Sequence, residues 1–222
     1  MRDIRAGASK RSGQRWYRVA VLLAAWLLPC LAAQSEEGDP VWHPLFSGNR
    51  LTNWKPTNFG GEGEVKIKAG ILTLEEGYPL SGITWQEKFP KSNYELELEA
   101  CRKEGSDFFC GLTFPVADSH CSLILGGWGG SVVGLSSIDG KDASENATTQ
   151  YIRFEQGKWY AVRVRVTTKH ISVWLDGKRI IHQQVAGHKI GLRNEVDLSK
   201  PLGLAAFETI AQYRKARYRK LP

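Results

Sequence analysis

The stretch WYAVRVRVTTKHISVWLDGKRIIHQ, residues 159–183, decides the fold class. In its first half Tyr160, Val162, Val164 and Val166 fall on one face and Arg163 and Arg165 on the other. A period of two is that of a strand with one buried face. Asp176-Gly177 then separates ISVWL from KRIIH. Both residue types tolerate the left-handed backbone that a two-residue I′ turn needs, so a hairpin is predicted.

The same signals recur on either side. EVKIKAGILTLEE alternates around Ala69-Gly70 and reads as a second hairpin. YELELEAC places Tyr94, Leu96, Leu98 and Ala100 on one face and Glu95, Glu97, Glu99 and Cys101 on the other. DFFCGLTF is a further strand before a turn at PVADSH, and LGLAAFET and YRKARYRKL supply the last two. Beyond residue 41 no long segment has helical periodicity, which excludes the crossovers that parallel sheets require. Short strands joined by turns predict an all-β, two-sheet antiparallel sandwich or jelly roll, with one concave face open to a ligand. Residues 42–222 read as a single domain of this kind.

The first 41 residues follow a different logic. Basic residues up to Arg18 precede the apolar run VAVLLAAWLLPCLAA, Val19 to Ala33, which ends in small residues. Fifteen apolar residues are short of the roughly 20 that span a bilayer. The layout of residues 1–33 is that of a secretory signal. A lipoprotein signal ending at Cys30 and an uncleaved anchor are the alternatives. Residues 34–41, QSEEGDPV, read as a linker. The expected location is periplasmic or extracellular, with no stable membrane span after cleavage. The formal charge of +7 follows the same division: residues 1–33 hold six Lys/Arg against one acid, and the remainder holds 24 against 22. So small an excess argues against a nucleic-acid partner.

Export makes the three remaining cysteines informative. A hairpin near KEGSD would bring Cys101 to Cys110, the one plausible bridge. A turn at PVADSH sets Cys121 opposite Phe114, about 13 Å from Cys110, beyond the roughly 7 Å Cα limit for a disulfide. No metal-ligand spacing and no cofactor motif is evident.

Candidate binding and catalytic groups cluster in the middle of the chain. In CSLILGGWGGSVVGL, residues 121–135, Trp128 stands among four glycines. Either Gly127 and Gly129 clear a surface on which the indole stacks against a sugar ring, or Trp128 fills the core and the glycines accommodate it. Asp107, Asp118 and His120 stand at strand–turn junctions, where each can act as an acid or base or cap a turn. The Glu95, Glu97 and Glu99 carboxylates, about 6.8 Å apart along one face, match an inverting glycosidase pair or a solvated strand face. Asn146-Ala147-Thr148 is an N-glycosylation sequon by pattern and marks an exposed loop.

The segments LFSGNRLTNW at 45–54, the run at 70–102, that at 146–180 and the final PLGLAAFETIAQYRKARYRKL resemble, in order, the layout of the 3-keto-disaccharide hydrolase family. That family is also described as 3-keto-glucoside lyases and 3-keto-glucal hydratases. The resemblance implies a concanavalin A-like jelly roll of the lectin and glucanase type, export, and a carbohydrate substrate or ligand. The sequence departs from the family pattern at HCSLILGGWGG, which lacks the Glu, Gln and Asp of a GYEVQILD-like strand, and at AAFETIAQ, where a Gln-x-His-like stretch would stand. Lyase chemistry on a 3-keto sugar needs a base for the C2 proton, a clamp for the enolate and an acid for the leaving group. Asp118 and His120 are the candidates nearest the glycine-rich segment, with Arg153, Arg193 and Glu195 as clamp and acid. Two functions follow from the resemblance: a sugar-processing lyase or hydrolase, or a non-catalytic carbohydrate-binding domain that has lost the acid–base groups.

Overall fold

The computed structural model describes residues 41–222. The signal at 1–33, Cys30 within it, and all of the linker but Val41 lie outside the described residues. In chain order the elements are β1 (His43–Pro44), β2 (Trp54–Pro56), β3 (Val65–Lys68), β4 (Ile71–Leu74), β5 (Leu80–Trp85), β6 (Tyr94–Gly105), β7 (Cys110–Val116) and β8 (Ser119–Gly127). There follow β9 (Val132–Ser136), β10 (Gln150–Tyr151), β11 (Trp159–Val166), β12 (His170–Leu175), β13 (Lys178–Gln184), a 3-10 helix (Asn194–Ser199), β14 (Gly203–Phe207) and β15 (Thr209–Lys220). No helix among the described residues is long and apolar enough to cross a membrane.

These strands form two antiparallel sheets of a jelly-roll sandwich. One runs β13-β12-β11-β6-β15-β4-β3, with β1 on the end of β15; the other runs β10-β9-β8-β7-β14-β5-β2. The stretch at 159–183 forms β11, β12 and β13, and the turn between the last two carries φ +48° at Asp176 and +80° at Gly177. Ala69 and Gly70, at φ +50° and +76°, close the β3–β4 hairpin in the same way.

Alternation fills the space between the sheets. Tyr94, Leu96, Leu98 and Ala100 of β6 and Val162, Val164 and Val166 of β11 pack against Cys110, Leu112 and Phe114 of β7 and Leu123 and Leu125 of β8. Two buried phenols tie the sheets together. Tyr94 donates to the Pro115 carbonyl at 2.5 Å and Tyr213 to that of Phe109 at 2.8 Å. Burial raises both phenol pKa values well above the ordinary range.

The cysteine pairing expected from the sequence is corrected. Strands β6 and β7 form no hairpin, because the chain turns at Gly105 (φ +93°) and passes from one sheet to the other. Cys101, Cys110 and Cys121 are all buried and free. Phe114 does lie opposite Cys121, the register that the turn spacing predicts.

Candidate functional site

The inner face of the seven-stranded sheet belongs to the core, and its outer face carries small side chains in two cross-strand rows. One row runs Gly82–Ala205–Gly111–Ile124–Gly134 and the next Thr84–Gly203–Thr113–Ser122–Ser136. Bare backbone lets loops lie flat on the sheet. A Cβ at Gly82 would stand 2.9 Å from the Phe59 ring, and one at Gly111 2.9 Å from the Phe108 ring. Between these loops remains a cleft of 460 Å³, within the usual range of about 300–1,000 Å³ for ligand sites. Phe59, Phe108, Phe207 and Trp128 wall it, Ser122 and Ser136 floor it, and Asp107, Arg193 and Glu195 bring charge to it. The Thr113 and Ser122 hydroxyls bond each other at 2.8 Å, while the buried Ser136 Oγ has no protein partner.

Trp128 sits at the tip of the β8–β9 hairpin. The Gly130 N–H donates to the Gly127 carbonyl at 3.2 Å, and φ is +49° at Trp128 and +82° at Gly129, the signs a I′ turn requires. Its side chain is 43% exposed, so Trp128 is not a core residue. The glycines answer to the hairpin's own support. Arg102, 5% exposed, donates through Nη2 to the carbonyls of Gly126 (3.1 Å) and Gly130 (3.0 Å) and lies 5.1 Å over the Phe109 ring. A Cβ at Gly126 would stand 2.3 Å from that nitrogen.

The charged groups come from three loops. Asp107 accepts the Phe108 N–H at 2.7 Å and the Gly129 N–H at 3.1 Å, which fixes its carboxylate to the Trp128 turn. Arg193 spans Asp142 Oδ2 (3.0 Å) and Glu195 Oε1 (2.7 Å), and its guanidinium carbon is 5.9 Å from the Trp128 ring centroid. The Arg193 hydrogen bond holds the Glu195 carboxyl below the usual carboxylate range, and Glu195 in turn raises Arg193. Residues 188–193 reach the cleft because they are latched to the loop after β9. Ser137 and Gly191 exchange backbone hydrogen bonds of 2.7 and 3.0 Å, and Asp139 accepts from the Lys189 N–H and bonds His188 Nδ1. In that loop the sequon asparagine is a staple. The Asn146 amide donates to the carbonyls of Leu135, Lys141 and Asp142 and accepts from Thr148, so the half-buried side chain is spent within the fold.

Trp128, Gly127, Gly129, Arg193, Glu195 and Asp107 are therefore brought together, and the other candidates are not. Asp118 is at the opposite end of β8, 94% exposed and paired with Lys91. His120 shares a face with Ser122 and Ile124 but does not line the cleft. Burial, then the Lys200 charge, lowers its pKa and favours neutral imidazole. Arg153 is exposed beyond β10 and outside the cleft. Glu95, Glu97 and Glu99 are on the outer face of the other sheet, each ion-paired to arginine. Among the described residues no three His, Cys, Asp or Glu side chains group as metal ligands. Sequence reading missed Phe59, Phe108 and Phe207 as walls. The aromatic before Gly60-Gly61 had a signal, since it repeats the pattern of a large ring beside glycines.

A family model described as a 3-keto-alpha-glucoside-1,2-lyase-like domain matches residues 41–220. Among curated proteins no sequence matches the chain. Solved structures with the same fold include a Crh5 transglycosylase, at 13% identity and TM-score 0.56, covering 83% of this chain and 85% of that one. They include the carbohydrate-binding module CBM66 from Bacillus subtilis, at 14% identity and TM-score 0.50, covering 80% and 100%. Domain 4 of AbnA, a GH43 extracellular arabinanase from Geobacillus stearothermophilus in complex with arabinotriose, also matches, at 14% identity and TM-score 0.50, covering 82% and 91%. At these identities the likeness is one of fold alone.

Proposed function

The chain belongs to the 3-keto-alpha-glucoside-1,2-lyase-like family, and on that premise we propose that the cleft beside Trp128 cleaves glycosides of 3-keto sugars outside the cytoplasm. One observation carries this reading: two carboxylates and an arginine, Asp107 from one loop and Arg193 and Glu195 from another, converge beside an exposed indole in a cleft walled by aromatic rings. A ketone at C3 acidifies the C2 proton. Asp107 is the base, because it faces the cleft with only backbone N–H donors bound. Glu195 is the weaker base, since Arg193 stabilises its anion at 2.7 Å. As the C2–H electrons move toward the C3 oxygen, Arg193 stabilises the enolate, a role that suits a cation held in place by Asp142 and Glu195. The C1–O bond then breaks, the leaving oxygen takes a proton from solvent, and water adding to the C1–C2 double bond completes a net hydrolysis. Trp128 stacks on the ring.

A second reading rests on a specific feature. The floor presents only Ser122, Ser136 and Ile124 where the family pattern has Glu, Gln and Asp, and four aromatic rings line the walls. That composition suits carbohydrate binding without turnover. Incubation with a 3-keto-disaccharide separates the two. Release of reducing sugar, with transient ultraviolet absorbance from the conjugated enone and its loss in Asp107→Asn, supports the lyase. Binding with no product at any time supports the second reading and defeats the first.

A further inference from the structure

The outer face of the eight-stranded sheet carries a second constellation, remote from the cleft's residues. Here the β6 carboxylates stand between cations of both neighbouring strands. Glu97 faces Arg163 on β11 and Arg217 on β15, and Glu95 faces Arg165 and Arg219. Glu95 is fully buried beneath its two arginines, at 2.7 and 2.6 Å. Glu99 takes Arg214 and Lys215, both at 2.6 Å. Six cations therefore face three carboxylates, and the surplus is built into the sheet.

Arg163 is one part of that surplus. Among the described residues it has no carboxylate at ion-pair distance, and its guanidinium carbon sits over Trp174, 4.2 Å from the ring centroid. Arg214 lies on Trp159 at 4.1 Å and Arg217 on Trp42 at 4.4 Å. A guanidinium stacked on an aromatic face keeps its N–H edge free and oriented, ready for bidentate capture of an anion. Strand β15 bulges between Arg214 and Arg217, with Lys215 at φ +55°. That bulge opens a groove of 970 Å³, walled by the Phe46–Gly48 loop and the turns at Ala69–Gly70 and Gly177.

We propose that this groove is a second ligand site, and that it takes an acidic oligosaccharide whose carboxylate or sulfate groups engage Arg163 and Lys215. Two features select this class. The cation excess calls for an anion. The two carboxylates that line the groove, Glu97 and Glu99, about 6.8 Å apart, would repel a continuous phosphate backbone, yet accept hydrogen bonds from sugar hydroxyls. A ligand that alternates hydroxyls with spaced negative charge satisfies both. The inference stands apart from the cleft and holds whether or not the cleft is catalytic.

The test is titration calorimetry of the chain without residues 1–33 against tetragalacturonate, a sulfated tetrasaccharide, a neutral tetrasaccharide and single-stranded oligothymidine. Binding of either or both acidic sugars, weakened at high salt and absent with the neutral one, is expected. The carboxylated and sulfated arms show which anion the groove prefers. Arg163→Gln is expected to weaken that binding about tenfold, the loss of a charge-assisted contact. Lys215→Gln, at a side chain 67% exposed, is expected to weaken it without lowering thermal stability. Trp128→Ala, across the sandwich, should leave it unchanged. No binding of either acidic sugar, equal binding of the neutral one, tighter binding of oligothymidine, or unchanged affinity in both groove variants would overturn the proposal.

Discussion

Gly126→Ala and Gly129→Ala form a matched pair that tests why the Trp128 hairpin is written in glycine. Both residues have left-handed backbone, at φ +77° and +82°. An alanine there costs about 1–2 kcal/mol in backbone strain. At Gly129 nothing lies within 4 Å of the added carbon, so that strain is the whole cost. At Gly126 the carbon would stand 2.3 Å from Arg102 Nη2 and 3.2 Å from the Phe109 ring. Arg102 has nowhere to move, being 5% exposed, stacked on Phe109 and bonded to the Gly126 and Gly130 carbonyls. Its displacement forfeits two hydrogen bonds from a charged donor, about 1.5–3 kcal/mol each. Gly126→Ala is therefore expected to cost about 3–6 kcal/mol more than Gly129→Ala. Urea unfolding followed by tryptophan fluorescence measures both. Losses at the two positions within about 1 kcal/mol of each other would refute the account of Arg102 as the hairpin's support.

Trp128→Ala is expected to change stability by less than about 1 kcal/mol while abolishing binding of 3-keto-disaccharides at the cleft; a loss of about 3–5 kcal/mol with that binding intact would make it a packing residue. Native protein should resist thiol reagents, since burial pushes Cys110 and Cys121 up to about 12, and denaturation should release three thiols from the chain that lacks Cys30. A mapped bridge between any two of them would contradict the strand arrangement. Secreted material should begin near Gln34, and N-terminal sequencing that finds residues 1–33 retained would sink export by cleavage. Burial alone would raise the Glu95 carboxyl, but its hydrogen bonds to Arg165 and Arg219 carry it below the ordinary value. Its contribution is thus present above the unfolded value of about 4.3 and lost as pH falls through the folded one. Unfolding free energy should drop more steeply between about pH 5 and 3 in the wild type than in Glu95→Gln, and parallel curves would exclude this role.

Strands with one buried face were legible because alternation and turn chemistry act over a few residues. Val162, Val164 and Val166 announce β11, and Asp176-Gly177 and Ala69-Gly70 announce two hairpins from the backbone each turn needs. The β6–β7 connection was not legible. KEGSD reads as a hairpin turn, yet Gly105 there redirects the chain into the opposite sheet. Whether two consecutive strands pair or separate is settled by how both sheets close over one core, and no local pattern records that.

The site shows the same limit from another side. Trp128 among glycines falls on the hairpin beside the cleft, and Arg193 and Glu195 line the same cleft. Asp118 and His120 drew attention by closeness along the chain, but β8 runs away from its own turn, and nine residues of strand carry Trp128 to the far end. What reaches Trp128 instead is Asp107, through the Gly129 N–H, and Arg193, through a segment latched by Ser137 and Asp139. Those contacts are made across 22 and 65 residues of sequence. The glycines also serve the scaffold more than the ligand. Gly126 makes room for Arg102 beneath the turn, and that buried guanidinium, with no carboxylate partner at ion-pair distance among the described residues, holds the indole over the cleft. The position of the indole over the cleft thus depends on a cation buried beneath the turn and outside the cleft lining.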